Sequence, residues 1–501
     1  MTFGGSVVSF SELQQHNKPD DCWISLYGHV YDVSEFLKQH PGGARRILKY
    51  AGNDATKGFG MTHSERYMER YLQKDWYKGE VELAPEKISK EAGKRKKIAD
   101  KEPKRKDKKR STFKETFKEK GKTVEKPKLG YILSLGDFEA VAMNVLPEEI
   151  RAYISSGSDD EITVRENRKA LGRIFFRPRC LVDVSRNTID TNILGQHSKL
   201  PFLISPIAGS EMVSQEGDIS ISKVAGEHGI IPVIPKNDSS SISNSDQPVF
   251  YQYSFDTEEA IIRAPEIVSN IQRKYPNIKA LFVSVDNDCA GNLEKLRKYE
   301  SKVGKDPQGL QPGDINRPSY APTWRDLLRL KTSTDIPIIL KGLQREEDIV
   351  KAARLGFDGA LISNHGGRQV DCSRSSIEIL YNAKKQMKEK NVSADGFELF
   401  VEGGFRRGSD IVKALCLGAK PALGRSILYS GVYGEAGVNK ALYIMEQDIN
   451  RVMKLLGANS VSDLNEDFLD CESLNFKATL TDQLYNENYM PLPGPKGRRG
   501  N

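Results

Sequence analysis

Two hydrophobic rhythms divide this chain. Near the N-terminus, short apolar runs are broken by glycine: Cys22-Trp23-Ile24-Ser25-Leu26, a Tyr27-Gly28 turn, then Val30-Tyr31-Asp32-Val33. Runs of that length bounded by turn residues predict paired strands, and Ser34–Gln39 and Glu65–Leu72 carry helical spacing. Beyond Gly130, strand-length apolar runs alternate with helical patterns. Eight runs qualify as strands: Pro201–Ser205, Ile230–Ile234, Val249–Gln252, Leu281–Asp286, Ile336–Lys341, Ala360–Asn364, Leu399–Glu402 and Ala422–Arg425. Eight such strands separated by helices predict an α/β fold, a (β/α)8 TIM barrel, and the remaining length exceeds the roughly 250 residues that fold needs. A doubly wound open sheet would want a glycine fingerprint after its first strand, and none is present.

Between these regions the apolar rhythm stops. Residues 84–128 hold 19 Lys+Arg against 8 Asp+Glu, a net +11 within a whole-chain charge of +7, so the rest of the chain is net negative. Such a segment cannot bury enough apolar surface to offset its ordering entropy, which predicts a basic, disordered linker. The expected domains are therefore 1–83, a linker at 84–128, and 129–501. With Phe113 and Phe117 as its only aromatics, the linker lacks the interleaved rings that stack bases, so nucleic acid is not an expected partner.

The six cysteines are scattered without a CxxC pair, as in a reducing compartment, and no apolar run is long enough to span a membrane. The first arginine is Arg45 and acidic residues precede it, unlike a mitochondrial presequence, so a cytoplasmic location is expected.

Candidate chemistry sits at strand ends, where these barrels keep their active sites. Ser363-Asn364-His365-Gly366-Gly367-Arg368-Gln369 supplies an imidazole suited to proton removal and a guanidinium suited to a carboxylate. Asp286 could orient the imidazole, and Lys341 could neutralise charge on a reduced cofactor. Glu402-Gly403-Gly404-Phe405-Arg406 and Gly424-Arg425 follow the seventh and eighth strands, where phosphate sites are commonly built. In the first region, His40-Pro41-Gly42-Gly43 is followed 23 residues later by His63, and two imidazoles can hold an iron from both faces. Taken singly, each motif is ambiguous.

Taken together they are not. Residues 6–82 resemble the cytochrome b5 fold, a small α+β unit, on the Cys-Trp-Ile, Gly-His-Val-Tyr-Asp-Val and His-Pro-Gly-Gly runs. Residues 131–490 resemble the FMN-dependent 2-hydroxy-acid dehydrogenase and oxidase family, helped by Ser155-Ser156-Gly157, Arg165-Glu166-Asn167 and Lys341-Gly342-Leu343-Gln344. The two in tandem resemble the flavocytochrome b2 family of fungal cytochrome-linked L-lactate dehydrogenases. That resemblance implies haem b on His40 and His63, His365 as base, Asp286 as its partner, and Arg368 and Tyr153 on the substrate carboxylate. It implies FMN on Ser205, Pro206, Ile207, Ala208, Gln252, Ser284, Lys341, Glu402 and Phe405, with Gly403, Gly404, Arg406, Gly424 and Arg425 toward its phosphate side. It further implies a small 2-hydroxy-acid substrate, a one-electron acceptor such as cytochrome c, a homo-oligomer (a tetramer), and the mitochondrial intermembrane space as the alternative compartment.

Several active-site positions depart from the family pattern. Ser254 stands for a tyrosine, Leu293 for an arginine, Ile207 for a threonine, Pro235-Lys236 for small hydroxyl residues and Glu402 for an aspartate. The first two remove groups that would touch substrate. The alternative expectation is therefore a catalytically impaired paralogue that binds haem, with or without FMN, for electron transfer or regulation.

Overall fold

The computed structural model describes residues 7–38, 40, 44–56, 59, 74–82, 118–119, 122–123, 126–207, 209–214, 217–235, 242, 247–255, 257–286, 289, 291–303, 322–393 and 395–475. The chain separates into two compact units, Met1–Phe113 and Lys114–Asn501. Most of the expected linker, the helix expected at Glu65–Leu72, and His63 lie outside the described residues.

The first unit is built on a six-stranded mixed sheet. Asp21–Leu26 and His29–Asp32 pair antiparallel, with Leu26 opposite His29, so Tyr27 and Gly28 form a two-residue turn. Both have positive φ, 52° and 85°, which matches the right-handed twist of the strands. Tyr77–Glu82 joins the far edge of that hairpin and pairs in parallel with Val7–Ser9. Cys22, Ile24, Leu26, Val33, Leu37, Ala51 and Ala55 form the buried core on one face.

In the second unit eight parallel strands run in the order expected of a closed barrel. They are Leu203–Ile204, Val233–Ile234, Val249–Tyr253, Ile278–Ser284, Ile338–Leu343, Gly359–Ile362, Glu398–Glu402 and Ala419–Leu423, taken below as the first to eighth strands. From the second strand on each pairs with the next, the eighth pairs with the first, and a bridge from Ile204 to Pro232, just before the second strand, closes the ring. Most strands are shorter or shifted against their apolar runs, the third and seventh are one residue longer, and all eight are present.

Alternation along the strands makes two cores. Leu203, Val233, Phe250, Phe282, Ile339, Leu361, Phe400 and Ala422 point inward and fill the lumen, joined by Ile193 from the hairpin of Thr191–Ile193 and Gln196–Ser198. Their neighbours, such as Tyr251, Leu281, Leu340 and Val401, face the surrounding helices in a far larger apolar cluster. The lumen is thus a packed plug, as in other barrels of this size.

Candidate active site

Strand geometry dictates the floor of the site. Side chains two residues apart share a face, so the step beyond each lumen residue also points inward: Phe250 leads to Gln252, Phe282 to Ser284, Ile339 to Lys341, Leu361 to Ser363 and Phe400 to Glu402. The apolar plug ends there, and a polar layer caps it. Above that layer lies a cavity of about 960 Å³.

His365 is delivered by a strained turn. After the sixth strand, His365, Gly366 and Gly367 all adopt positive φ, at 55°, 64° and 78°. For a non-glycine residue this costs on the order of 1 kcal/mol or more, so the surroundings must enforce it. They do: the Asn364 side chain accepts from the Gly367 N–H at 3.1 Å and exchanges two hydrogen bonds with the Asn167 side chain. The Ser363 hydroxyl accepts from the His365 N–H at 2.9 Å. A Cβ on Gly367 would lie 2.6 Å from Val164 Cγ2, so only glycine fits.

The turn sets His365 Nδ1 3.0 Å from Asp286 Oδ2. Asp286 is buried, and burial alone would raise its carboxyl; Lys341, His365 and the Ser284 hydroxyl at 2.7 Å overcome this and hold it well below the ordinary carboxylate range. An ionised carboxylate only accepts, so Nδ1 is the donor of this pair, and in the neutral ring Nε2 keeps its lone pair. His365 itself is one-third exposed, whereas Asp286 is 3% exposed. The imidazole therefore reaches the cavity while its anchor stays dry.

Lys341 joins the floor. Its ammonium, 3% exposed, lies 3.2 Å from Glu402 and 3.6 Å from Asp286. Burial would lower its proton affinity, but the two carboxylates outweigh that and raise it.

A second group of residues favours an anion. Arg368 Nη1 donates to the carbonyls of Tyr153 at 2.8 Å and Ser156 at 3.1 Å, and its guanidinium lies 4.9 Å over the Tyr153 ring. Arg425 donates to the carbonyls of Gly366 and Ser156. Among the described residues neither forms an ion pair. Burial, then repulsion from Arg425, lowers the proton affinity of Arg368. Two neighbouring cations satisfied only by carbonyls leave a positive field that a carboxylate or phosphate would complete.

Gly403 and Gly404 turn the chain after the seventh strand with φ of 112° and 88°, and a Cβ on Gly404 would meet the Asn167 carbonyl at 2.3 Å. Arg406 follows and forms a two-pronged pair with Glu139, which also takes Arg168 at 2.9 Å.

Of the expected residues, Tyr153, Ser205, Pro206, Ile207, Gln252, Lys341, His365, Arg368, Glu402–Arg406, Gly424 and Arg425 line one cavity. Ser284 and Asp286 support it from beneath, and Ala208 lies outside the described residues. Sequence reasoning did not single out Glu139, named Asn167 only within the Arg165-Glu166-Asn167 run, and did not single out Lys295. Their partners are 267, 197 and 134 residues away, so no local pattern announces them. The departures separate: Ser254 lines the cavity, but Leu293 does not, and Lys295, two residues on, does.

The donor set fits FMN. Guanidiniums and glycine backbone gather toward one group of loops, while Gln252 and Lys341 offer hydrogen bonds and positive charge on the floor, in a cavity of suitable volume. In the first unit, His40 is half-buried with the Phe36 ring 5.6 Å away, and Phe36 packs against the unit's apolar core, a setting suited to one face of a haem. Among the described residues no helix is long and apolar enough to cross a membrane.

A barrel whose rim presents a carboxylate-backed imidazole beside uncompensated guanidiniums is built for proton transfer on an anionic substrate. Residues 142–471 match the FMN-dependent dehydrogenase family, and residues 9–82 match the cytochrome b5-like haem/steroid-binding domain. The chain belongs to the FMN-dependent dehydrogenases and is a flavoprotein oxidoreductase with a cytochrome b5-like domain in front of its barrel. It is 35% identical to the L-lactate dehydrogenase (cytochrome) of Wickerhamomyces anomalus, covering 97% of this chain and 84% of that one. The Saccharomyces cerevisiae L-lactate dehydrogenase (cytochrome) is also 35% identical, over 96% and 83%. A variant of flavocytochrome b2 solved with pyruvate bound superposes with a TM-score of 0.65 at 37% identity, covering 73% of this chain and 94% of that one. A mandelate oxidase variant gives 0.58 at 28% identity, over 68% and 98%.

Proposed function

We propose that this chain oxidises a small L-2-hydroxy acid, lactate being the first candidate, with FMN in the barrel and haem b in the N-terminal unit, and passes electrons to a one-electron acceptor such as cytochrome c. The observation that carries the reading is the His365–Asp286 pair opening onto the same cavity as Arg368 and Tyr153. Arg368, with the Tyr153 hydroxyl, would take the substrate carboxylate. Nε2 of His365 would remove the substrate proton, and Asp286 would stabilise the imidazolium that forms. Lys341, Gln252, Ser284 and Ser205–Ala208 would hold the flavin ring, and Gly403, Gly404, Arg406, Gly424 and Arg425 its phosphate side. When bound, FMN accepts the substrate's two electrons, and a haem held by His40 and His63 passes them on singly.

Ser254 favours a second reading. It forms part of the cavity wall where the family resemblance expects a tyrosine, and losing one preorganised donor typically costs on the order of 10²–10³ in rate. A weakened paralogue that binds both groups but turns over slowly is consistent with that wall.

One experiment separates the two. Purified full-length protein, loaded with FMN and haem, is mixed anaerobically with a panel of 2-hydroxy acids while flavin and haem absorbance are followed. Reduction of both within seconds by at least one acid supports the enzyme. Loaded protein that no acid reduces leaves the paralogue. Loss of the low-spin haem spectrum in His40→Ala tests the ligand assignment.

A further inference from the structure

Glu402 ends the seventh strand and points inward, two residues beyond the lumen residue Phe400. Its carboxylate is fully engaged: one oxygen accepts from the Ser363 hydroxyl at 2.6 Å and faces Lys341 at 3.2 Å, and the other accepts from Ser205 at 2.7 Å. Residues from the first, fifth, sixth and seventh strands or their ends thus converge on one buried carboxylate. Burial opposes its ionisation, but Lys341 and the two hydroxyls prevail and hold it below the ordinary glutamate range. Among the described residues, Lys341 is the only cation paired with it.

Lys341 is also the ion partner of Asp286. Two buried carboxylates therefore share one buried ammonium, and the trio carries a net negative charge. An aspartate at position 402 would be one methylene shorter and its carboxylate would sit back from the ammonium. The positive charge that the floor offers to the cavity is thus partly cancelled from the side of the seventh strand.

We propose that Glu402 is a positioning residue that acts through Lys341 to lower the electron affinity of a flavin bound in this cavity. This rests on the reading of the cavity as an FMN site. A flavin gains negative charge when it takes up electrons, so a cation nearby favours reduction and a buried anion competing for that cation opposes it. Glu402 thereby sets how readily the flavin keeps electrons, apart from any part it has in binding.

The test uses the full-length, FMN-loaded protein and sulfite, an anion that adds reversibly to oxidised flavin and binds more tightly as the flavin becomes electron-poor. Glu402→Gln keeps the shape and removes the charge. It should tighten sulfite binding roughly tenfold or more, the size expected for one buried charge at this range, and raise the flavin midpoint potential. Glu402→Asp keeps the charge but withdraws it, and should move both readings in the same direction by a smaller factor. Should Glu402→Gln fail to hold flavin, Glu402→Asp carries the test alone. Sulfite affinity within twofold of the unaltered protein, or weaker, in whichever variant holds flavin overturns the proposal. Failure of the unaltered protein to quench flavin fluorescence would instead overturn the FMN reading, which is a distinguishable result.

Discussion

His365 and Asp286 meet at 3.0 Å across 79 residues of chain, and their bond engages Nδ1 and leaves Nε2 as the nitrogen available for proton transfer. Asp286→Asn would put a hydrogen-bond donor or a neutral acceptor against Nδ1 and remove the charge that stabilises the imidazolium. Substrate-driven flavin reduction should fall by about 10²–10⁴, with FMN content unchanged. His365→Ala should do at least as much, and adding Asp286→Asn to it should cost little more, because the two act as one unit. Additive losses in the double variant would break the assignment.

The Lys341 trio predicts a reversal of pH dependence. Asp286 and Glu402 are held below their ordinary values in the folded protein. Their contribution to stability is therefore present above the unfolded carboxylate range, near pH 4, and is lost as pH falls through the folded values. Lys341→Met leaves two buried carboxylates without their cation, which should cost about 3–5 kcal/mol near pH 8. In that variant burial pushes both groups up, so stability should recover as pH is lowered toward 5. Urea unfolding at pH 5 and pH 8 reads the sign directly; parallel profiles in both proteins would contradict it.

The turn that carries the base should be intolerant of side chains. Gly367→Ala adds a Cβ within 2.6 Å of Val164 Cγ2 at a φ of 78°. It should destabilise by at least about 2 kcal/mol, whereas Gly396→Ala, at φ of 72° with nothing within 4 Å, should cost about 1 kcal/mol. Equal losses in chemical denaturation would mean that the turn relaxes freely.

The two substrate-side departures should not behave alike. Ser254 lines the cavity and Leu293 does not. If lactate is the substrate, Ser254→Tyr alone should raise lactate-driven flavin reduction by at least roughly tenfold, a floor below the order of 10²–10³ that one preorganised donor is typically worth. Leu293→Arg should add less than threefold. A gain that requires both changes would place residue 293 in the working site despite its position here.

The barrel was legible in the sequence because its signal is repeated eight times. Individual boundaries were not: the first strand keeps only Leu203–Ile204, while the fourth begins at Ile278, earlier than its apolar run suggests. The catalytic candidates were legible because local motifs carry them, as in the run from Ser363 to Gln369. What stayed hidden was the pairing. Arg406 reads as a phosphate ligand from its glycine-rich surroundings, yet its partner Glu139 lies on a helix 267 residues earlier. Lys341 reads as a lone cation, and nothing local shows that two carboxylates divide it. Such contacts depend on barrel closure, which brings strand ends together regardless of their distance along the chain.

The packed lumen has a consequence for traffic. Phe250, Phe282, Phe400 and Ile193 block the barrel's interior below the polar floor, so the cavity has a closed back. A molecule held on the polar floor therefore cannot pass out through the barrel and must leave by the side away from the plug. The buried Lys341 marks the deep part of that cavity, and the more exposed His365 lies nearer the solvent. An inert 2-hydroxy-acid analogue seated at the doorway should therefore act as a stopper. The exchange rate of the deeper ligand would then report occupancy at the mouth.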